Sequence, residues 1–329
     1  MATLAANGHF TGVGAGDAVA IARDIKDWGY GAVWGAEVAE QECFALLGAI
    51  ASHTDLEIGL AVTPVQTRSA FVLARAALTV QELAAGGFRL GIGASSEVLV
   101  SRFAGEPYTK PLTYVRETVE AIRPILEGER STFHGEFIDI GGYKYPLPVD
   151  PVPIYLGSLN PASLRLCGEI GDGLCINQFA PRHVPTMLAE VRSGAEAAGR
   201  ELPDDFPVVA RLFCAITDDV AGVKALLRQV FAPYAATQGY NRFFRWLGYV
   251  EEADAIAAAA AAGDKDAMVA AYSDRMLDEL FVVGDADAVT ERIHEYVDAG
   301  VTVPVIAPLA PGTEPARQTL ETIGQRFGR

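Results

Sequence analysis

Two short loops of small polar residues could carry chemistry in this 329-residue chain. One is Gly93-Ala94-Ser95-Ser96 and the other is Gly157-Ser158-Leu159-Asn160, and each directly follows an apolar, strand-like segment. Glycine lets a flat ring or a phosphate approach the backbone, and serine hydroxyls and free amides donate hydrogen bonds to an anion. Both loops are therefore predicted to bind a ligand, although an ordinary helix cap explains the second loop equally well when it is taken alone.

Four more polar side chains stand at or just after the ends of predicted strands: Glu37, Glu97, Asn177 and Gln178. Each alone has an ordinary structural explanation, so the prediction of a shared site rests on the set. His9 can end the first strand and act as an acid or a base. We take His9, Glu37 and Glu97 as candidate catalytic residues and Asn177 as a candidate ligand-binding residue.

Other kinds of chemistry find little support in the sequence. No group of His, Cys and carboxylate residues has metal-ligand spacing, and no G-x-S-x-G or lysine motif indicates a covalent nucleophile. The four cysteines are scattered, which favours reduced core residues. We therefore expect no metal, and a hydrolase is disfavoured.

The two candidate loops belong to an alternation of strands and helices. An apolar run over residues 56–63 ends at Pro64, helical sequence extends from about 68 to 85, and a second apolar run covers 88–93. Continuous apolar strands separated by helices indicate parallel strands buried on both faces. In such folds the chemistry lies beyond the carboxyl ends of the strands, where these loops and polar residues are expected.

The alternation continues along the whole chain and predicts eight strands: within residues 6–13, then at 31–36, 56–63, 88–93, 153–157, 173–177, 208–217 and 302–307. Eight strands, each followed by helical sequence, predict an α/β fold of the closed (β/α)₈ TIM-barrel type, which needs about 250 residues. A hairpin excursion at about 131–150 and a helical insertion at about 237–280, before the last strand, explain most of the surplus. No linker is visible, so residues 1–329 are expected to form a single domain.

A dinucleotide-binding fold is the main structural alternative. Gly12, Gly14 and Gly16 form a glycine-rich turn before a helix, and Glu37 ends the next strand about 20 residues later. The spacing is nevertheless G-x-G-x-G, and Asp17 at the sixth position would repel a pyrophosphate. Eight predicted strands also count against this alternative.

The composition limits the partners. Forty-two acidic and 26 basic residues give a formal charge of −16, which disfavours nucleic acid as a partner. No apolar run approaches a membrane span, and no signal peptide is visible, so we expect a cytoplasmic protein that does not bind membranes.

The basic and aromatic segment at 241–246 could bind an anion, but an amphipathic helix with packed aromatic rings explains it slightly better.

A family resemblance rests on motifs spread over nearly the whole chain: WGYGAVW at 28–34 with Glu37, GLAVTP at 59–64, RLGIGASS at 89–96, KP at 110–111 with RE at 116–117, PIYLG at 153–157, GE at 168–169 with GDG at 171–173, and GD at 263–264 and 284–285. In their order and spacing these motifs resemble the luciferase-like (bacterial luciferase superfamily) oxidoreductases. The most similar branch is the deazaflavin-dependent one related to methylenetetrahydromethanopterin reductase.

This resemblance implies a barrel, usually dimeric, that holds coenzyme F420 or FMN at the carboxyl face of its strands. It also implies a cis peptide bond between Ala61 and Val62, with Ala61, Val62 and Thr63 against the cofactor ring. Phosphate contacts would fall on the loops at 93–96 and 157–160. Two positions depart from the family pattern: Val38 stands where many relatives have histidine, and Arg68-Ser69-Ala70 replaces Arg-His-Pro. The proton donor is therefore left open.

The sequence thus predicts an oxidoreductase that transfers a hydride between coenzyme F420 and a small organic substrate. An FMN-dependent luciferase-like monooxygenase is the nearest alternative. The missing histidine also suggests a second alternative, a barrel that binds flavin without turnover.

Overall fold

Eight parallel strands close into a barrel in the computed structural model, which describes residues 2–38 and 40–328. The strands of the chain are β1 Ala5–Asn7, β2 Ala32–Gly35, β3 Glu57–Pro64, β4 Phe88–Gly93, β5 Ser131–His134, β6 Asp139–Tyr143, β7 Ile154–Gly157, β8 Gly173–Asn177, β9 Val208–Ile216, β10 Val282–Gly284 and β11 Val303–Pro308. The barrel order is β1-β2-β3-β4-β7-β8-β9-β11, and β11 pairs with β1. The predicted (β/α)₈ barrel is confirmed.

The helices surround the barrel and form the insertion before its last strand. They are α1 Ala15–Asp24, α2 Cys43–Ala51, α3 Ala70–Leu83, α4 Pro111–Leu126, α5 Pro161–Ile170, α6 Val184–Ala197, α7 Val220–Ala235, α8 Gln238–Trp246, α9 Val250–Ala262, α10 Lys265–Ala271, α11 Asp274–Leu280, α12 Ala286–Asp298 and α13 Thr313–Phe327. Short side chains fix several helix starts. Ser69 accepts a hydrogen bond from the amide of Val72, and Asp285 accepts two from the first turn of α12.

Each barrel strand is buried on two faces, which explains its continuous apolar sequence. On β9, Val209 belongs to the small cluster inside the barrel together with Trp34 and Tyr155. Its neighbours Val208 and Ala210 belong to the larger core between the strands and the helices. Side chains therefore alternate between the barrel interior and the helical layer.

Both excursions have the predicted secondary structure. The antiparallel hairpin β5–β6 is tied to α4 by Glu117, whose carboxylate accepts hydrogen bonds from the amides of Glu136, Phe137 and Ile138 at 2.8, 2.7 and 3.1 Å. The insertion comprises α8 to α11, after which β10 pairs with the end of β9 outside the closed barrel. None of the helices of the described residues is long and apolar enough to cross a membrane.

The first strand differs most from the prediction. It covers Ala5–Asn7, whereas a strand somewhere within 6–13 was predicted, because the chain leaves the sheet at Gly8. The amide of Gly8 still bonds to the carbonyl of Trp34, at 2.8 Å, and a turn at Thr11 and Gly12 then leads towards α1.

Candidate active site

The carboxyl ends of the barrel strands surround one opening, here called the barrel mouth. The peptide bond between Ala61 and Val62 is cis, as the resemblance implied. The pairing between β3 and β4 shifts its register at this peptide bond, since Leu60 pairs with Leu90 but Thr63 pairs with Ile92. Two residues of β3 thus oppose one of β4, and both are partly exposed although the residues beside them are buried. Ala61 and Val62 therefore form a bulge in the mouth.

Glycines on the next two strands make room for this bulge. A Cβ atom on Gly91 would lie 1.8 Å from the carbonyl oxygen of Leu60. One on Gly93 would lie 3.1 Å from Cγ2 of Val62, and one on Gly157 would lie 3.0 and 3.1 Å from its two methyl groups. The side chain of Val62 thus packs against bare backbone and presents an apolar surface on which a flat ring can rest.

Glu37 is held by its neighbours at the end of β2. Its Oε2 accepts hydrogen bonds from Thr63 and from Nη1 of Arg68, the latter at 2.5 Å, and the thiol of Cys43 lies 3.3 Å away. Burial opposes ionisation, but the bonds from Arg68 and Thr63 outweigh it and hold the pKa of Glu37 below its ordinary value. Glu37 is therefore an ionised acceptor at neutral pH, and its predicted catalytic role stays a prediction.

His9 lies buried between two loops, and backbone groups use both of its ring nitrogens. The amide of Ala36 donates to Nδ1 at 3.3 Å, so the proton is on Nε2, which donates to the carbonyl of Gln41 at 3.2 Å. Burial lowers the pKa of His9 and keeps the ring neutral. This geometry positions the loop after β2, and the catalytic role of His9 also stays a prediction.

The loop at 93–96 opens towards solvent. Ser95 has a left-handed backbone with φ of 55°, and its carbonyl accepts a hydrogen bond from the hydroxyl of Tyr108 at 3.1 Å. The Ser96 hydroxyl accepts from the amide of Leu99 at 3.3 Å, and Ala94 packs against the core. Glu97 is exposed directly before a π-helical segment, Val98–Phe103. The loop combines a glycine, an exposed serine and a carboxylate at the mouth.

The loop at 157–160 is more closed than its sequence suggests. The amides of Leu159 and Asn160 donate to the hydroxyl of Ser163 at 3.2 and 3.1 Å, and Ser158 is buried, with its hydroxyl donating to the Ser163 carbonyl at 2.9 Å. Ser163 was missed because it lies one turn inside α5, although the spacing from Asn160 is that of a helix cap. Two of the amides expected to meet a phosphate thus have an internal partner.

Asn177 is the last residue of β8, and Gln178 follows it directly. The hydroxyl of Tyr240, on α8, donates to Oδ1 of Asn177 at 3.0 Å. Gln178 is buried with φ of 53°, and its Oε1 has no hydrogen-bond partner among the described residues. Tyr240 was not predicted as part of the site, since a tyrosine in an aromatic helix is ordinarily a packing residue.

Arg211 is a second residue that sequence reasoning missed. It lies on β9 and is the register partner of Asn177 on β8. Its guanidinium stands over the ring of Phe213, 4.9 Å from the centroid, and burial lowers its pKa. Arg211 comes two residues after Val209, and alternate residues of a strand face the same side, so this spacing could have indicated that Arg211 faces the barrel interior.

Several buried polar side-chain atoms lack hydrogen-bond partners, and some of them belong to residues on or just after the barrel strands. Within the described residues, Nε1 of Trp34 and Nε of Arg211 have no hydrogen-bond partner, as is also true of Oε1 of Gln178. Buried polar groups are normally satisfied, so each unsatisfied one is a candidate for a ligand contact. Together with the apolar surface of Val62, these atoms suit a planar, polar-edged ring system.

The basic and aromatic segment is an amphipathic helix, α8. Phe243 and Phe244 are fully buried. Arg245 pairs with Asp254 and donates from Nε to Oδ1 of Asn241 at 3.1 Å, whereas Arg242 is exposed. The packing interpretation therefore accounts for this segment.

Comparison with known proteins places the chain in a family. The family model described as luciferase-like monooxygenase matches residues 1–303. The chain belongs to this family. Two similar proteins are a 5,10-methylenetetrahydromethanopterin reductase of Methanolobus tindarius, 31% identical over 280 residues (84% of this chain and 85% of that one), and an F420-dependent glucose-6-phosphate dehydrogenase of Nakamurella multipartita, 34% identical over 165 residues (48% and 49%).

The fold of this luciferase-like protein is also that of a solved relative. The structure of the coenzyme F420-dependent tetrahydromethanopterin reductase from Methanopyrus kandleri superimposes with a TM-score of 0.79 at 22% identity. The match covers 98% of this chain and 97% of the other.

Within residues 2–38 and 40–328, no group of three or more His, Cys, Asp and Glu side chains could hold a metal ion.

Proposed function

We propose that this protein is an oxidoreductase that transfers a hydride between coenzyme F420 and a small organic substrate. The observation that carries the proposal is the similarity to the Methanolobus reductase over most of both chains. The Ala61-Val62 bulge supports it, because an apolar, glycine-backed surface suits one face of a planar ring. Bound deazaflavin would supply the hydride chemistry, and the protein would supply orientation and a mouth with little water.

The proposed roles of the residues follow from their positions. Ala61 and Val62 would support the ring, with the fully buried Thr63 directly behind them, and residues 93–96 would contact the phosphate. In the loop at 157–160, Gly157 would lie beside the ring, while Ser158, Leu159 and Asn160 shape the start of α5. Asn177 would bind at the edge of the ring. His9, Glu37 and Glu97 are the candidates for proton handling, and of these Glu97 is exposed at the mouth.

Titration with the two candidate cofactors tests the proposal. The purified protein should bind coenzyme F420 tightly and FMN weakly, with the fluorescence of each cofactor as the measurement. FMN is the proper competitor because the family is described as one of monooxygenases. Tight binding of FMN and none of F420 would replace the proposal with a flavin-dependent monooxygenase. Binding of F420 without reduction of any carbonyl compound would favour a barrel that binds the cofactor without turnover.

We also propose that the protein is a homodimer. An apolar groove of about 470 Å³ lies between α2 and α3 and is lined by residues that include Phe44, Gly48 and Leu83. A second copy of the chain covering this face would give a homodimer, in a cytoplasmic protein with residues 1–329 in one domain. Leu83→Glu should then convert dimers to monomers in light scattering. A wild-type protein that is monomeric at all concentrations would contradict this part.

A further inference from the structure

Arg211 points into the barrel mouth. Side chains on β9 alternate between the interior and the helical layer, and Val209, two residues earlier, lies in the interior cluster. The guanidinium of Arg211 interacts electrostatically with Tyr240 on α8 and Tyr234 on α7, and also with Glu40 and His9 in the loops after β2 and β1. Arg211 therefore lies at the mouth, where the barrel interior meets the helices α7 and α8.

The barrel order puts Arg211 across from the bulge. From β9 the sheet reaches β3 through β11, β1 and β2 in one direction and through β8, β7 and β4 in the other, which is four steps either way. Residues on β9 and β3 therefore face one another across the mouth. A ring that rests on Val62 turns its other face towards Arg211. The loop at 93–96, proposed for the phosphate, follows β4, which is one strand from β3 and three strands from β9.

The immediate surroundings of Arg211 suit an oxyanion. Within residues 2–38 and 40–328, its Nε has no hydrogen-bond partner and none of the salt bridges includes it. Asn177 lies beside it in the register, and Tyr240 occupies Oδ1 of Asn177, which leaves the Nδ2 group as a donor. A fixed guanidinium fork next to an amide donor is an arrangement that binds carboxylate or phosphate groups.

We infer that Arg211 forms a subsite for an anionic group of the substrate, next to the ring-edge residue Asn177, so that the substrate class is small carbonyl compounds or alcohols that carry a carboxylate or a phosphate. This inference rests on the proposed function for its assignment to a substrate, but the subsite itself can be tested without the cofactor. A partly buried cation that has no salt bridge within the described residues weakens a fold, which is expected where the charge serves a ligand.

The first experiment uses the cofactor-free protein and two probes, oxalate and inorganic phosphate, with isothermal titration as the measurement. Wild-type protein should bind at least one probe, and which of the two binds more tightly separates a carboxylate from a phosphate substrate. Arg211→Met should weaken that binding by at least about tenfold. Arg211→Lys keeps the charge but loses the fork, so its affinity for the probe should lie between those of the wild type and Arg211→Met. Arg130→Met, on the exposed hairpin, is the matched control and should bind as the wild type does.

Folding of the variants is monitored by their melting temperatures. Arg211→Met should melt at or above the wild-type temperature, because it removes a buried cation. If it fails to fold, Arg211→Lys carries the test, and equal binding by this variant and the wild type would overturn the inference. Absence of probe binding to the wild type, or binding that is unchanged in Arg211→Met, would overturn it as well.

The second experiment separates the subsite from the cofactor site. Arg211→Met should bind coenzyme F420 with wild-type affinity, and the Arg211-dependent binding of the probe should persist when F420 is saturating. Loss of F420 affinity in this variant, or displacement of the probe by F420, would assign Arg211 to the cofactor and overturn the inference. A wild type that binds the probe through Arg211 but does not bind F420 would instead reject the proposed function and leave the anion subsite standing.

Discussion

Nη1 of Arg68 lies 2.5 Å from Oε2 of Glu37 and joins the loop before α3 to the end of β2. The same guanidinium also pairs with Glu42 at the start of α2. Its charge is partly buried, with 14% of the side chain exposed, and the Thr63 hydroxyl lies 3.0 Å from Nη1. One arginine therefore connects the chain segments that follow β2 and β3, next to the bulge.

Glu37→Gln should lower the free energy of unfolding at pH 7 by about 1–3 kcal/mol, because it leaves Arg68 without the more buried of its two carboxylate partners. The folded pKa of Glu37 lies below the unfolded value near 4.5, so this stabilisation is present above that value. It is lost as the pH falls through the lower, folded pKa. Urea unfolding of wild type and variant from pH 7 downwards measures the difference.

The matched control for this prediction is Glu196→Gln, which neutralises an exposed residue of α6. That variant should unfold as the wild type does at every pH. A difference between wild type and Glu37→Gln that stays constant below pH 4.5 would contradict the ionised state assigned to Glu37.

Gly157→Ala should weaken coenzyme F420 binding by about tenfold, since its Cβ would lie 3.0 and 3.1 Å from the methyl groups of Val62 and displace the surface proposed for the ring. Val62→Ala in the same chain removes those methyl groups and should restore part of the affinity. Fluorescence titration of the two single variants and the double variant gives the coupling between the positions. Additive effects would show that the two residues act on the cofactor separately.

Ser96→Arg should abolish F420 binding while the melting temperature stays close to that of the wild type, because Ser96 lies on a loop open to solvent. The added side chain would fill the space proposed for the phosphate. Ser101→Arg, in the π-helical segment a few residues further on, is the control for added charge. Normal F420 affinity in Ser96→Arg would move the phosphate site to another loop.

The barrel strands could be predicted because burial on both faces favours apolar residues at most positions, which gives short apolar runs that are visible in the sequence. The strand Phe88–Gly93 was predicted to the residue for this reason. The first strand was harder, since Ala5–Asn7 is only three residues long and is held in place by pairing with β2 and β11, which are distant in sequence.

The site was less predictable because hydrogen-bond partners are chosen in three dimensions. The sequence of the loop at 157–160 offers free amides, but it does not reveal that the Ser163 hydroxyl accepts two of them. The cis peptide bond at Ala61 was expected only through the family resemblance. Arg211 looked like an ordinary strand residue, since its importance depends on which side of β9 faces the barrel interior.

The pairing of β10 has an evolutionary consequence. β11 closes the barrel against residues 209–214 of β9, whereas β10 pairs with residues 214–216 beyond that closure. The helices that border the mouth leave the barrel after β9 and return at β10, so their length and sequence can change while the register of the eight closing strands is preserved. Related enzymes could acquire new substrates by exchanging this segment as a cassette, without rebuilding the surface that holds the cofactor.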